Sequence, residues 1–412
     1  MIAPALGLEG ERISIQQVIL ILNTTKNLIG KNLSRMDLAN LNFSKVNLSG
    51  ANLEEVNLSG ANLSMASMLR ADLGKANLRG ANLRKASLLS SNLEEADLSD
   101  ANLEEADLGR ATLSKANLNG ANLSKARLFT SNLDEANLKK ASLAGTDLSG
   151  AVLRKADLSG ADLSGADLFN ADLSGTDLRS AKLEGAKVFR TNFSGAHLDR
   201  IDLSMTSLNE VNFDEASMVG ANLKEADLTG ATLRGADLHR TNLKFANLTA
   251  ADMTNAKLVG ADLKEANLFG SKLNFANLGG ANLYGAYLEE ADLSGADLEE
   301  VNLVGGDVSR ANLNGTNLSQ GILVFTKLAE SKFIGANLSG TNLRSADLSN
   351  ANLDAADLSA ADLRGANLRG ANLHGADLNS ADLEGADFTK ANILDVRNIA
   401  KAKNIEKATG LQ

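Results

Sequence analysis

Cysteine and tryptophan are absent from this 412-residue sequence, proline occurs only at Pro4, and aromatic residues make up 3%. Without cysteine the chain can have no disulfide framework, thiolate nucleophile or cysteine-based metal site. The three histidines, His197, His239 and His374, leave little for acid–base or metal chemistry, since all lie at ordinary outward positions. We therefore expect neither an enzyme nor a bound cofactor or metal.

An excess of positive charge is also lacking, because 41 basic residues stand against 51 acidic ones and give a net charge of −10. This disfavours direct binding to nucleic acid or to an anionic membrane, since both attract cations. The apolar run Val18 to Leu22 is far shorter than the roughly 20 residues that span a bilayer. No signal-peptide pattern is recognisable at the start. A cytoplasmic protein without a membrane span is the default expectation.

What the sequence has instead is an unbroken five-residue repeat. Every fifth residue from Leu33 to Ile393 is Leu, Phe, Met, Val or Ile, and we call it the centre. Two positions before the centre stands mostly Ala, then Asn or Asp, while two polar residues or Gly follow the centre. Because side chains two apart on extended backbone share a face, Ala and Leu should point inward and Asn or Asp outward. Corners such as Glu95 and Lys115 lack Gly, so we expect mixed turn types rather than compulsory left-handed backbone.

Alternating charges indicate how many repeats make one coil. Taking the last residue of every fourth repeat gives a column in which the sign alternates: Arg35, Glu55, Lys75, Glu95, Lys115, Glu135 and Lys155. Opposite charges stacked on neighbouring strands are favourable and like charges are not. The column therefore predicts four repeats, or 20 residues, in each coil, whereas a three-sided coil would lose the pattern.

The order Ala, Asp or Asn, Leu and two variable residues resembles the pentapeptide-repeat family over residues 31–395. The resemblance implies an all-β fold, a right-handed four-sided β-helix of about 18 coils, and a rod of roughly 85 to 90 Å at about 4.8 Å per coil. It further implies a bacterial source and favours a cyanobacterial one, since the family is abundant there. A non-enzymatic scaffold or protein-interaction surface for an unidentified protein partner is the function that we expect.

Both ends of the sequence depart from the repeat. We expect residues 1–30 to form an N-terminal cap segment, residues 31–395 the β-helix, and residues 396–412 a C-terminal helical cap or tail. An apolar stretch from Glu9 to Asn23 supports the first cap. Bulky residues replace Ala in the first coils and should widen the interior there: Met36, Leu41, Val46 and Val56. Near the other end, apolar residues recur every three positions up to Gly410 and predict a short amphipathic helix: Ile399, Ala402, Ile405 and Ala408. This segment either caps the β-helix or forms a homodimer, as in some members of the family.

Phenylalanine marks one outward face. Five of the 12 phenylalanines are repeat centres and should be buried: Phe43, Phe193, Phe213, Phe333 and Phe388. Six large apolar residues follow a centre and fall on one face of a 20-residue coil: Leu69, Leu89, Phe129, Phe169, Phe189 and Phe269. These side chains either shield backbone of neighbouring coils or form a partner surface, because contiguous apolar patches often mark interfaces.

Aspartate concentrates in two regions. Five successive repeats carry Asp just before the centre and form an acidic girdle: Asp157, Asp162, Asp167, Asp172 and Asp177. A second concentration comprises Asp357, Asp362, Asp377, Asp382 and Asp387. These residues either do the same structural work as Asn or imitate the charge of DNA, as in relatives that bind type II topoisomerases such as gyrase. An even imitation would need roughly 50 negative charges at one per 1.7 Å, so the net charge of −10 leaves the DNA mimic as the alternative function.

Overall fold

The computed structural model describes residue 10 and residues 12–411, which fall into two compact units, Met1–Ile201 and Asp202–Gln412. In each unit, successive pentapeptides form the sides of a right-handed quadrilateral β-helix. Each side contributes a single bridge residue to a parallel ladder, as in Asn52 paired with Asp72 in the first unit and Asn222 paired with Asn242 in the second. The residues of every such pair within 27–392 lie 20 apart in sequence, so the prediction of a four-sided coil is confirmed.

Backbone hydrogen bonds connect each coil to the next. Leu48 N donates to Ser67 O at 2.6 Å, and Ser67 N donates to Val46 O at 2.9 Å. A further bond comes from the corner, which is the second residue after the centre: Gly50 N donates to Leu69 O at 2.9 Å. Because one pentapeptide makes its ladder bonds only to neighbouring coils, it gains little stability until it is stacked.

The corners are uniform, and the expectation of mixed turn types is wrong. In each turn the residue after the corner donates back to the centre, as Ala51 N does to Leu48 O at 3.0 Å. Every corner residue from Gly30 to Asp395 has a positive φ, including Glu95 at 57° and Lys115 at 56°. A positive φ at the third residue alone is the mark of a type II turn. Stacking thus imposes left-handed backbone even on residues for which it costs about 1–2 kcal/mol.

The interior is a column of centres lined by small side chains. Leu53 is fully buried, Ala51 is 1% exposed, and the five phenylalanine centres are buried as expected. Where Ser or Thr replaces Ala, the hydroxyl usually donates to a backbone carbonyl. Thr146 Oγ1 donates to Leu123 O at 2.8 Å and Ser91 Oγ to Leu88 O at 2.7 Å. The polar substitutions therefore remain compatible with a closed core.

The first unit begins with helix α1, Ile15–Leu22, in which Val18 and Ile21 are buried. Ser14 caps it, since its hydroxyl accepts from Gln17 N and the Gln17 side chain accepts from Ser14 N. Ladder pairing already includes Arg12, which pairs with Asn32. Of the bulky residues predicted to widen the first coils, two are half-buried and two are buried: Met36 and Leu41, and Val46 and Val56, respectively. Glu9 lies outside the described residues.

The second unit ends in a modified coil instead of the predicted amphipathic helix. Two 3₁₀ turns, Ile399–Lys401 and Ile405–Lys407, replace ordinary corners. Before, between and after these turns the chain still pairs with the preceding coil: Arg397 with Asp377, Lys403 with Asp382, and Thr409 with Asp387. Each side is therefore one residue longer than a pentapeptide. An apolar residue every three positions suits this six-residue side as well as a helix, and the ladder bonds decide between them.

Candidate functional site

The first unit exposes a stacked aromatic pair. The ring centroids of Phe169 and Phe189 lie 6.1 Å apart with an interplanar angle of 19°. The two residues are 42% and 39% exposed. Above Phe189, the guanidinium carbon of Arg190 lies 5.0 Å from the ring centroid. Aromatic rings beside arginine are the side chains most enriched at the centres of protein interfaces.

Phe129 plays a different part in the same column. It is only half-buried, and its ring lies over the backbone of Gly109, where an added Cβ would come within 2.3 Å of ring atoms. The guanidinium carbon of Arg127 lies over the Phe129 ring, 5.0 Å from the ring centroid. The members of the column thus differ, since Phe129 covers backbone while Phe169 and Phe189 form an exposed stacked pair.

The column continues towards the start of the first unit. Leu69 is 37% exposed and Leu89 is half-buried. Ile29, at the same place in its coil and 41% exposed, was missed because it precedes the predicted repeat region. A shallow groove of about 470 Å³ lies between Ile29 and Leu69, where Ser49 and Gly50 offer little side chain. The 40-residue spacing between Ile29 and Leu69, equal to two coils, would have indicated that they share a face.

Phe269 belongs to the second unit, where it is 40% exposed. Other exposed apolar residues of that unit lie outside the column that contains Phe269 and were not predicted. They include Tyr284, Ile322 and Phe325, which are 45%, 44% and 66% exposed. They lie on the same side of nearby coils, within 282–285 and 322–325.

The aspartates of the acidic girdle are engaged in their own turns. Asp157, Asp162 and Asp172 each accept a hydrogen bond from the backbone N–H two residues ahead, at 2.9 to 3.1 Å. This is the hydrogen bond that Asn47 makes with Ser49 N at 3.1 Å. Hydrogen bonding from Ser164 holds the pKa of Asp162 below its usual value.

The remaining girdle carboxylates also meet cations. Asp177 pairs with Arg179 at 2.5 Å, and Asp167 pairs with Lys187 at 3.3 Å. The hydrogen bond from the Arg179 guanidinium lowers the pKa of Asp177. The second aspartate concentration is similar, since Asp357 accepts from Ser359 N at 2.9 Å. Neither set of carboxylates is a row of free charges.

The alternating charge column forms two of its ion pairs. Arg35 lies 3.0 Å from Glu55, and Lys75 lies 3.9 Å from Glu95. Within the described residues the other neighbours of this column are not within ion-pair distance: Glu55 and Lys75, Glu95 and Lys115, Lys115 and Glu135, and Glu135 and Lys155. Exposed pairs of this kind contribute about 0–1 kcal/mol each, so the column supports the stacking weakly and offers no binding chemistry.

Histidines sit on the surface beside carboxylates. His239 Nδ1 lies 2.6 Å from Asp237, and His374 lies between Asp354 at 2.8 Å and Asp395 at 3.7 Å. The hydrogen bond with Asp354 raises the pKa of His374. No group of three or more His, Cys, Asp or Glu in the described part of the chain is arranged to hold a metal ion. Nor do the described residues form any helix with the length and hydropathy needed to cross a bilayer.

Comparison with known proteins identifies the repeat. A family model described as pentapeptide repeats matches eleven overlapping or adjoining segments: 27–54, 51–88, 91–128, 131–168, 159–195, 186–224, 206–244, 246–283, 281–320, 322–359 and 356–393. A comparison with curated protein sequences finds no match.

Several solved structures are similar to the chain. HetL, a pentapeptide repeat protein involved in regulating heterocyst differentiation in Nostoc sp. strain PCC 7120, is 32% identical over 64% of this chain and 96% of its own, with a TM-score of 0.25. The fluoroquinolone resistance protein QnrB1 is 18% identical over 44% and 95%, with a TM-score of 0.37. Rfr23 from the cyanobacterium Cyanothece 51142 is 22% identical over 44% and 98%, with a TM-score of 0.11.

Proposed function

The chain belongs to the pentapeptide-repeat family, and we propose that it is a non-enzymatic scaffold whose first unit binds a protein partner through an apolar column. The stacked pair of Phe169 and Phe189 is the observation that carries this proposal. The column includes Leu69 and Leu89, and we place Phe269 of the second unit in a separate, smaller contact.

The aromatic pair offers apolar surface that a partner could bury. A phenylalanine has about 200 Å² of surface, and these two rings are 42% and 39% exposed. Covering roughly 80 Å² on each ring would contribute about 2 kcal/mol per ring at 25 cal/mol per Å².

The surface chemistry supports a binding rather than a catalytic role. A general acid or base at neutral pH needs a pKa tuned towards 7. Hydrogen bonds instead lower the pKa values of the outward carboxylates Asp162 and Asp177, away from 7. Such carboxylates remain ionised and act as structural acceptors.

Replacing Phe169 and Phe189 together by Ser tests the proposal, because Ser149 already occupies the same column. We expect the double variant to fold and melt like the parent but to lose the protein that the parent captures from native lysate. Phe275→Ser, which removes a ring that is 66% exposed in the second unit and lies outside the proposed contacts, is the matched control. Equal capture by the parent and the double variant would refute the partner surface.

A homodimer through the C-terminal segment is a second candidate, favoured by one observation. The inward residues of the last described coil, among them Ile399 and Ile405, are half-exposed, whereas Leu373 and Leu378 in the preceding coil are fully buried. Light scattering should then give a dimer mass that falls to the monomer mass in Leu394→Ser, a residue that is 62% exposed there. A monomer mass for the parent would remove this candidate.

The DNA mimic that binds gyrase ranks below both. It requires free carboxylates, but those of the girdle are used in turns and ion pairs, as for Asp157 and Asp177. A supercoiling assay separates the proposals, since inhibition or protection of gyrase by the protein would promote the mimic. A cytoplasmic location in a cyanobacterial cell completes our proposal, and cell fractionation would test the location.

A further inference from the structure

One face of the second unit is apolar and carries no charge over three coils. Its outward residues lie in 282–285, 302–305 and 322–325, and none of them is charged. The exposed members are Tyr284 at 45%, Ile322 at 44% and Phe325 at 66%, and Val304 and Val324 are half-buried. Ladder pairs join Asn282 to Asn302 and Asn302 to Ile322, so these coils stack directly. We call this surface the 284–325 face.

Basic residues border the face on both sides. Lys264 lies above Tyr284, with its Nζ 5.4 Å from the ring centroid, and pairs with Glu265 at 3.6 Å. On the far side, Arg364 pairs with Asp362 at 2.6 Å. Arg344, between the face and Arg364, has no carboxylate within ion-pair distance among the described residues. The face therefore has an apolar centre and one cation next to it that is available to a partner.

We propose that the 284–325 face binds the same face of a second copy of this chain, with the coils running in opposite directions. Here a row is the set of outward residues of one coil on this side, and a column is a series of residues 20 apart. A two-fold axis lies in the interface between the rows of Val304 and Val324. Each column therefore faces the same column of the other copy, with its rows in reverse order. Val304 then meets Val324 of the other copy. Such an isologous contact repeats every pairing twice.

The corner column is self-complementary in this register. Phe325 of one copy lies opposite Gly305 of the other, and Phe245, which is 43% exposed, lies opposite Gly385. Both glycines are open, since a Cβ built on Gly305 meets nothing within 4 Å and one on Gly385 approaches only Gly365 N at 3.9 Å. Each projecting ring thus has a bare backbone position to cover.

The charged rows are also accommodated. Arg344 falls opposite Tyr284 of the other copy, where a guanidinium can stack on the ring. Lys244 falls opposite Glu384, and each already has an ion-pair partner in its own chain, Asp262 at 2.9 Å and Lys407 at 2.8 Å. Two pairings bring like charges together, Lys264 with Arg364 and Asp262 with Asp362. Each of these groups has an opposite charge beside it in its own chain, because Lys264 contacts Glu265, Arg364 contacts Asp362, and Asp262 contacts Lys244 at 2.9 Å.

The size of the contact predicts a weak dimer. Eight rows from Phe245 to Glu384 at about 4.8 Å give a strip roughly 35–40 Å long, and a side about three extended residues wide adds roughly 10 Å. The strip covers about 380 Å² per copy, or about 760 Å² in total, below the 1,200 Å² of stable interfaces. The second copy should therefore bind in a concentration-dependent manner rather than permanently.

Cross-linking through introduced cysteines tests the orientation, because the natural chain contains none. Gly285 and Ser345 lie opposite each other in the proposed pair. A short bifunctional maleimide should join Gly285→Cys to Ser345→Cys in a mixture of the two full-length variants and should leave each variant alone as monomer. Gly315→Cys with Gly375→Cys, which share the three-coil offset on another side, is the control mixture and should not cross-link. Self-cross-linking of Ser345→Cys, or equal yields in both mixtures, would overturn the proposal.

Sedimentation velocity tests the energetic role of the face. Phe325→Gly should weaken association roughly tenfold or more, because each dimer loses two buried rings. Phe275→Gly removes an equally exposed ring, also 66%, from a corner on another side and should leave association unchanged. Both variants and the parent are compared in the Leu394→Ser background, so that the C-terminal contact does not contribute. A parent that stays monomeric to sub-millimolar concentration, or equal effects of the two variants, would refute the inference.

Discussion

Left-handed backbone at every corner leads to a quantitative prediction at glycines that have no steric neighbour. Gly50, Gly165, Gly185 and Gly195 of the first unit have φ between 63° and 67°, and a Cβ built on each meets nothing within 4 Å. Replacing one by Ala therefore adds only the conformational cost. Left-handed backbone costs about 1–2 kcal/mol for a residue with a Cβ, and the reduced freedom of the unfolded chain returns about 0.4–1 kcal/mol.

We expect each Gly→Ala replacement to destabilise the first unit by about 0.5–1 kcal/mol, and the four together by about 2–4 kcal/mol if the costs add as they do for separated sites. Gly165 and Gly185 stack on neighbouring coils, so this pair is also measured without the other two. Equilibrium unfolding in denaturant, followed by circular dichroism, measures the change. The reverse replacement Lys115→Gly, at a φ of 56°, should stabilise slightly and controls for the sign. An unchanged midpoint for the fourfold variant would show that the stacked coil removes the cost of left-handed backbone, and would refute the reasoning.

Three further predictions concern single side chains. Ser271 Oγ is buried without a hydrogen-bond partner among the described residues, so Ser271→Ala should leave stability unchanged or raise it; Ser331→Ala, which removes a bond to Leu328 O of 2.5 Å, should cost about 1 kcal/mol in thermal unfolding. The raised pKa of His374 means that its contact with Asp354 stabilises fully below the unfolded-state pKa of about 6.5 and is lost as pH rises through the folded-state pKa; His374→Gln should therefore lower the melting temperature at pH below about 6 and not well above it. Arg35→Ser should change stability by less than about 1 kcal/mol, and salt should abolish even that difference, because both partners of the Arg35–Glu55 pair are exposed.

The fold could be predicted from the sequence because every repeat has the same pattern of inward and outward residues. The centre column from Leu33 to Ile393 sets the inward face, and the alternation from Arg35 to Lys155 sets the 20-residue coil. The corners were mispredicted because the local preference of Lys or Glu for right-handed backbone is outweighed by two hydrogen bonds. At Gly50 these are the bond from Gly50 N to Leu69 O and the bond from Ala51 N to Leu48 O, and at Lys115 they are the bonds from Lys115 N to Asp134 O and from Ala116 N to Leu113 O.

The candidate surfaces were only partly accessible. A search for phenylalanine found Phe169 and Phe189, but sequence cannot show that their rings stack while Phe129 lies over Gly109. Ile29 was not predicted because it precedes the predicted repeat region, and the 284–325 face was not predicted because it lies outside the column that contains Phe269. The outward positions also tolerate many residue types, so no local rule restricts them.

That tolerance separates structural from functional causes in the second unit. Inside the coil, Gly321 lies beside Val301, where an added Cβ would meet Val301 Cγ1 at 3.4 Å and Leu318 O at 2.9 Å, so a large and a small residue compensate. Leu303 and Leu323 stay buried on either side, and the core needs nothing further from the surface. Phe325 lies just outside this closed interior with two thirds of its surface exposed, at 66%. Phe325 differs from the equally exposed Phe275 in lying within a charge-free apolar surface, and contiguous apolar patches of this kind often mark interfaces, which is why the proposed contact is placed there.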